Sequence, residues 1–210
     1  MLTIDTTSTG GKTLSHTCTS GATFLLVIAA QVSLESSPAS TMTATYNGVS
    51  MTAIVEHVSS RSYCKLFGLV NPASGAHNIV VTTDYITDGG VSGVSFINSD
   101  SIIGWRTGVS GAKPLTPTSS PTDLAFCCTS IQGGTVVNPI GDYTSIFNAT
   151  FVSGTSPTDG DTMRYAAWRM NGASPTVSMS ADNVGGFVAV SIPALPSSGV
   201  DVAISPYMIF

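Results

Sequence analysis

An Asn-Gly pair between two alternating segments is the strongest local constraint on the fold of this chain. Asn47-Gly48 separates residues 42–46 from residues 49–55, and apolar and polar side chains alternate on both sides of it. A type I′ turn needs positive φ at both central residues, so Asn-Gly between two such segments is the strongest short signature of a β-hairpin. The sequence therefore predicts two antiparallel strands joined by a two-residue turn.

Segments with strand character recur along most of the chain. Residues 23–34 form an apolar run without helical period, which predicts one long buried strand. Further strands are predicted over residues 63–70, 77–83, 162–170, 175–181 and 185–192. Because Gly, Pro, Asn and Ser separate about ten to twelve such strands, the predicted fold is all-β. We expect a two-sheet antiparallel β-sandwich in one domain over residues 1–195.

Composition argues against helices and against ionic partners. Charged residues make up 9% of the chain, against about 25% in an average soluble domain. Lys and Glu, which usually cover the wet face of a surface helix, are nearly absent. The net charge is −5 and the seven cations are scattered, so neither nucleic acid nor an anionic membrane is expected as a partner.

No segment predicts a membrane helix or a signal peptide. The longest apolar stretch, residues 24–30, is far shorter than the roughly 20 residues that a membrane helix needs. The N-terminus has no basic region followed by an early apolar run. We therefore expect synthesis and assembly in a cytoplasm.

Neither a catalytic set nor a metal or cofactor site is predicted. No Gly-x-Ser-x-Gly segment occurs, and residues 90–93 and 108–111 miss its spacing. With two glutamates in the chain, a pair of catalytic carboxylates is not indicated. Asp159-Gly160-Asp161 departs from the EF-hand pattern and is typical of a solvated turn. The chain is expected not to be an enzyme and to bind no cofactor.

The cysteine content is too low for a disulfide scaffold in a chain of 210 residues. Adjacent residues of a strand point to opposite faces, so Cys127 and Cys128 are not expected to share a metal ion. We predict that these two residues, Cys18 and Cys64 are reduced and pack as small apolar side chains. A Cys18–Cys64 bridge is the alternative.

Two motifs and a closing strand resemble a family of phage and bacterial β-sandwich proteins. Residues 45–49 (Thr-Tyr-Asn-Gly-Val) match its hairpin, and residues 69–77 match its Leu-x-Asn-Pro-x-x-Gly-x-His turn. An alternating valine strand follows at residues 79–82, and a small-residue strand at residues 186–192 closes the match. The resemblance spans residues 13–195, with a departure at residues 133–161.

The resemblance implies a jelly-roll or lectin-like sandwich without enzymatic role. We expect a structural protein of a bacteriophage virion: a capsid decoration, or cement, protein that binds the outer surface of the head and stabilises it. Its expected partners are the major capsid protein and further copies of itself in a homotrimer, since closed oligomers hide open strand edges. Synthesis is then in the host bacterial cytoplasm. The alternative is a head-fibre or tail protein that binds a glycan or another receptor.

Two places in the chain are predicted to contact partners. Residues 196–210 are predicted as an apolar arm that docks on a neighbouring subunit or on the capsid, or else as a final strand of this chain's own sheet. The interface residues of the arm are Val200, Val202, Ile204, Tyr207, Ile209 and Phe210. Trp105, beside a long loop, is the candidate for stacking on a surface glycan, whereas alternation places Trp168 in the core.

Overall fold

The structure, a computed structural model, describes residues 1–33, 41–59, 62–84, 87–100, 104–111, 116–132, 143–152, 162–171 and 185–195. These ranges contain fourteen β-strands and no helix. The strands are β1 (Thr3–Gly10), β2 (Thr13–Cys18), β3 (Phe24–Ser33), β4 (Met42–Tyr46), β5 (Val49–Ser50), β6 (Thr52–Ser59), β7 (Ser62–Val70), β8 (Gly75–Thr83), β9 (Thr87–Ile97), β10 (Val109–Gly111), β11 (Leu124–Gln132), β12 (Tyr143–Val152), β13 (Thr162–Asn171) and β14 (Gly185–Ile192).

The strands form three antiparallel sheets. The central sheet has the order β1-β9-β3-β7-β6, the distal sheet the order β10-β14-β11-β13-β12, and the hairpin sheet the order β2-β8-β4-β5. One buried cluster joins the central sheet to the distal sheet, and a second cluster joins it to the hairpin sheet. The predicted all-β antiparallel sandwich is confirmed, but it has three layers where two were predicted.

Strand β3 shows why the third layer forms. Its even-numbered residues from 24 to 30 belong to the core against the distal sheet, and residues 25, 27 and 29 belong to the core against the hairpin sheet. All seven side chains are fully buried. With two sheets, one of these sets would face water, and each large aliphatic side chain left exposed forfeits about 1.5–3 kcal/mol of burial. The prediction of a long buried strand over residues 23–34 is confirmed.

The two cores differ in their aromatic content. In the core against the distal sheet, the rings of Phe24 and Phe96 lie 6.1 Å apart, and Phe96 meets Phe126 edge to face at 5.4 Å. Tyr46 and Phe67 are large members of the core against the hairpin sheet. The second core therefore contains a hydroxyl that needs a hydrogen-bond partner.

Several strands depart from the sequence prediction. Strand β1 was not predicted, because its sequence TIDTTSTG is almost entirely polar. Strand β12 lies inside the segment that departs from the family pattern, and it pairs with β13. The predicted strand over residues 175–181 and the arm over residues 196–210 lie outside the described residues.

All four cysteines are free and buried, as predicted. Cys18 belongs to the core against the hairpin sheet, whereas Cys64 belongs to the core on the opposite face of the central sheet. The alternative Cys18–Cys64 bridge is therefore wrong. Burial, together with the neighbouring Cys64 thiol, raises the pKa of Cys128 well above its ordinary value.

Candidate functional site

The predicted hairpin turn forms between β4 and β5. Asn47 has φ of 50° and Gly48 has φ of 74°, which is the positive pair that a type I′ turn requires. The backbone N–H of Asn47 donates to the carbonyl oxygen of Asn78 on β8 at 3.2 Å. The turn is thus fixed to the neighbouring strand as well as to its own hairpin, and the prediction of a two-residue turn is confirmed.

Tyr46 connects the two sequence motifs. Its ring is fully buried, and its hydroxyl lies 3.2 Å from the carbonyl oxygen of Ala73 and 3.1 Å from that of Gly75. The hydroxyl proton is shared among these acceptors and the carbonyl of His16, 3.4 Å away. Burial raises the pKa of Tyr46 above its ordinary value. The hairpin and the turn before β8 therefore form one structural unit.

His77 fixes the turn from its other side. Its Nε2 lies 3.1 Å from the carbonyl oxygen of Ser74, and since a carbonyl can only accept, Nε2 carries the proton. The ring of His77 also packs edge-on against Tyr46, with centroids 5.5 Å apart. The histidine of the turn motif thus has a structural role in holding the loop.

A pocket of about 430 Å³ lies beside this unit. It is lined by Thr45, Asn47, His77, Asn78 and Val80, together with the small residues Gly48 and Ala76. The pairing of β4 with β8 brings these residues together. Thr45 lies opposite Val80, and the Asn47-Gly48 turn is hydrogen-bonded to Asn78. We call this site the hairpin pocket.

The β6 edge of the central sheet is a second candidate surface. In the described part of the chain, β6 is the last strand of that sheet, and it is eight residues long. Val58 on this strand is 42% exposed. The sequence of β6, TAIVEHVS, contains neither proline nor lysine, the residues with which natural proteins commonly block an open edge.

The charge on β6 is already paired within the chain. Glu56 Oε2 forms an ion pair with the ammonium of Lys65 at 2.6 Å and accepts a hydrogen bond from the hydroxyl of Tyr63 at 2.8 Å. Both partners lie on β7. These two donors hold the pKa of Glu56 below its ordinary value. The edge therefore presents backbone groups and an apolar valine without an unpaired carboxylate.

A buried polar layer joins β1 to the hairpin sheet. His16 is 2% exposed, with Ser8 Oγ 2.7 Å from its Nδ1 and Thr6 Oγ1 3.3 Å from its Nε2. Thr6 donates its own proton to the carbonyl of Thr17, so it accepts from Nε2–H. Nδ1 therefore accepts from Ser8, and the neutral ring has both nitrogens satisfied.

The electrostatics of this layer favour neutral His16. Burial lowers the pKa of His16, and the carboxylate of Asp5 opposes this shift. Asp5 Oδ2 accepts from Ser95 Oγ and from the backbone N–H of Thr19, each at 2.9 Å. A serine hydroxyl bound to an imidazole is also the geometry of a nucleophile and its base. Here, however, the group on the second ring nitrogen is a threonine rather than a carboxylate.

Trp105, the predicted glycan-stacking residue, packs at the margin of the core. Its ring lies 5.8 Å from that of Phe24, and a Cβ added at Gly68 would meet it at 2.9 Å. The side chain is half-buried. The next residue, Arg106, forms a two-pronged ion pair with the buried carboxylate of Asp123. These contacts anchor the segment, and stacking of Trp105 on a glycan stays a prediction.

Other sites that were considered from the sequence lie outside the described residues. The arm residues from Val200 to Phe210 lie outside the described residues, as do Asp159 and Asp161. In the described ranges, no three metal-ligating side chains are grouped. No helix in those ranges is long and apolar enough to span a membrane.

Asn78 and Thr45 were not identified from the sequence as site residues. Asn78 is an exposed asparagine in an alternating strand, a position at which a polar residue needs no special explanation. The cross-strand pairing that brings it below the Asn47 turn becomes visible only in the register of β4 and β8.

Comparisons with known proteins leave the family open. No family model matches the chain. Neither the curated proteins nor the solved structures give a match. The resemblance carried by the hairpin and turn motifs therefore stays a prediction.

Proposed function

We propose that this chain is a non-enzymatic structural protein of a bacteriophage virion, a capsid decoration protein that binds the outer surface of the head. Its partners are the major capsid protein and further copies of itself, assembled as a homotrimer after synthesis in the host bacterial cytoplasm. The observation that supports this role best is the β6 edge of the central sheet, which pairs with no further strand among the described residues.

An open edge favours association because its unpaired N–H and C=O groups can continue the sheet into another chain. The exposed side chain of Val58 adds apolar area that becomes buried on pairing. Glu56, which could repel an approaching strand, is neutralised by Lys65. In a closed trimer each β6 edge is covered by a neighbouring subunit.

The composition of the chain is consistent with binding through shape and burial. With 9% charged residues, electrostatic steering is weak, so attachment relies on apolar contact and hydrogen bonds. Many copies on one shell can each bind weakly and still stabilise it, because linked contacts multiply in effective affinity. The hairpin and turn motifs, through their resemblance to virion surface proteins, support the phage head as the site of attachment.

The test replaces Val58 by lysine and uses Val49→Lys as the matched control. Both valines are exposed, Val58 at 42% and Val49 at 51%, but Val49 lies on β5 of the hairpin sheet and not on β6. A lysine on an edge strand opposes strand addition. Sedimentation equilibrium measures the oligomeric state, and co-sedimentation with heads that lack the protein measures attachment.

The expected result is a trimer that binds heads for the wild type and for Val49→Lys, with both properties lost in Val58→Lys. Circular dichroism shows whether each variant keeps its β-structure. A wild-type monomer that does not bind heads contradicts the proposal. A Val58→Lys variant that trimerises and binds normally contradicts the role of β6.

A further inference from the structure

The geometry points to the hairpin pocket as a binding site for a neutral sugar. This site is separate from the β6 edge, and it differs in position from Trp105, where the sequence predicted glycan stacking. The inference does not depend on the decoration role proposed above, because sugar binding is a property of the isolated protein.

The hairpin pocket is an open depression on the surface of the hairpin sheet. Its volume of about 430 Å³ is within the range of about 300–1,000 Å³ that is usual for small-molecule sites, but its openness leaves part of a bound ligand in solvent. A pyranose ring with its hydroxyl groups fits in such a volume. The pocket lies on the surface of the hairpin sheet, so a terminal sugar of a longer glycan can enter it while the rest of the glycan stays in solvent.

The side chains that line the hairpin pocket suit a ligand with many hydroxyl groups. Asn47, Asn78 and Thr45 supply two amides and one hydroxyl, groups that both donate and accept hydrogen bonds. Neighbouring hydroxyl groups of a sugar also donate and accept, so they can pair with both ends of an amide. Val80 provides an apolar wall for the C–H face of the ring.

The lining of the hairpin pocket carries little charge. No Lys, Arg, Asp or Glu belongs to the residues that line it, all of which lie in the described part of the chain. Its one titratable side chain is His77, whose Nε2 already donates to Ser74 O. A phosphate or a carboxylate would therefore meet no lysine or arginine, and an amine would find no carboxylate. The pocket therefore selects a ligand whose polar groups are uncharged.

Two residues of the hairpin pocket are held in place by the protein itself. Asn47 is held in the type I′ turn and by its N–H bond to Asn78 O, and His77 is fixed by Ser74 and Tyr46. A preformed site loses less conformational entropy when a ligand binds. A small neutral ligand therefore loses less entropy here than in a mobile loop, and many copies on one particle would strengthen weak binding.

The experiment titrates the nitrogen-15-labelled protein with four neutral probes, the methyl glycosides of glucose, galactose, mannose and rhamnose. Glucuronic acid and sialic acid serve as charged comparisons. Asn47→Gly removes one amide and keeps a residue that tolerates positive φ. Asn78→Ala removes the other amide. Ser15→Ala is the matched control, since Ser15 pairs with Asn78 across β2 and β8 but does not line the pocket.

At least one neutral glycoside is expected to shift the backbone amide signals of residues 45–48 and 76–80 in a saturable manner. Each of Asn47→Gly and Asn78→Ala should weaken binding about three- to tenfold, and the double variant should weaken it by the product of the two. Ser15→Ala should bind as the wild type does. The charged sugars should bind at least about tenfold more weakly, because they lose solvation without gaining a partner.

The inference is overturned if no neutral glycoside shifts these signals, if the shifts lie elsewhere, or if the double variant binds as well as the wild type. Equal binding of the charged sugars also overturns it. If sugar binding fails while head binding persists, this inference alone is lost. If head binding fails while sugar binding persists, the decoration role is lost and the pocket stands.

Discussion

Replacing Gly93 by alanine tests how closely the central sheet and the hairpin sheet approach each other. A Cβ at this position on β9 would lie 2.5 Å from Ile79 Cδ1 and 3.0 Å from His16 Nδ1. Ile79 is fully buried on β8, and the His16 ring is held by Ser8 and Thr6. Neither neighbour can move aside freely, so the added methyl group must strain the core.

The magnitude follows from measured core substitutions in other proteins. Overpacking a well-packed core costs about 1–3 kcal/mol, which for a chain of this size lowers the melting temperature by about 2–4 °C per kcal/mol. Ile79→Val removes the methyl group that the new Cβ meets, and alone it costs about 0.5–1.5 kcal/mol. In the double variant the two changes compensate, so it should be at least about 1 kcal/mol more stable than their sum predicts.

Urea unfolding, followed by circular dichroism, measures the free energy of unfolding for the wild type, both single variants and the double variant. Gly11→Ala is the control, because an added Cβ there meets nothing within 4 Å. It should leave stability unchanged or raise it slightly by restricting the unfolded chain. Additive effects of Gly93→Ala and Ile79→Val, or a harmless Gly93→Ala, would refute the close packing of the two sheets.

Three further changes test other parts of the structure. Gly48→Val should destabilise the protein by about 1 kcal/mol or more in thermal unfolding, because a β-branched residue resists positive φ; an unchanged melting temperature argues against the type I′ turn. Stability should change little between about pH 6.5 and about pH 8 and fall as the pH drops below this range, because burial lowers the pKa of His16 while the unfolded chain takes up the proton at the ordinary value. Denaturant titrations at several pH values should show a smaller fall in the free energy of unfolding for His16→Asn than for the wild type. An equal fall would show that His16 is not its cause. Asp123→Asn should cost about 1–3 kcal/mol in urea unfolding, because it weakens the buried side of the ion pair with Arg106; a stability equal to that of the wild type shows that the pair contributes nothing.

Local sequence signals predicted the strands that have apolar side chains. The Asn47-Gly48 turn was predictable because a two-residue turn imposes a backbone conformation that few residues accept. The long apolar run of β3 was predictable for the same local reason. The same run also suggests the third sheet, because a strand without polar alternation is buried on both faces. The number of layers is nevertheless a property of all the strands together.

Strand β1 shows the limit of hydrophobic patterns. Two of its core-directed residues are polar, Thr6 and Ser8, and they are satisfied by His16 on another strand. A pattern of apolar residues cannot reveal a strand whose buried contacts are hydrogen bonds. The partner His16 is eight to ten residues away in sequence, on a strand of another sheet.

The hairpin pocket depends on pairing between distant segments. Asn47 and Asn78 meet because β4 and β8 pair in one register, with Tyr46 opposite Ile79. A shift of one residue would turn Asn78 towards the core and place Ile79 on the surface. The hairpin motif and the turn motif were visible in the sequence. The hydrogen bonds from the Tyr46 hydroxyl that connect them were not.

Assembly on a phage head through the β6 edge can be tested by direct imaging. Its most direct test is a cryo-electron-microscopy reconstruction of heads with and without the protein. If β6 mediates assembly, added density should lie on the outer surface, in threefold clusters, with β6 at a subunit or capsid contact. Heads without added density, or bound copies whose β6 edge faces solvent, would contradict it.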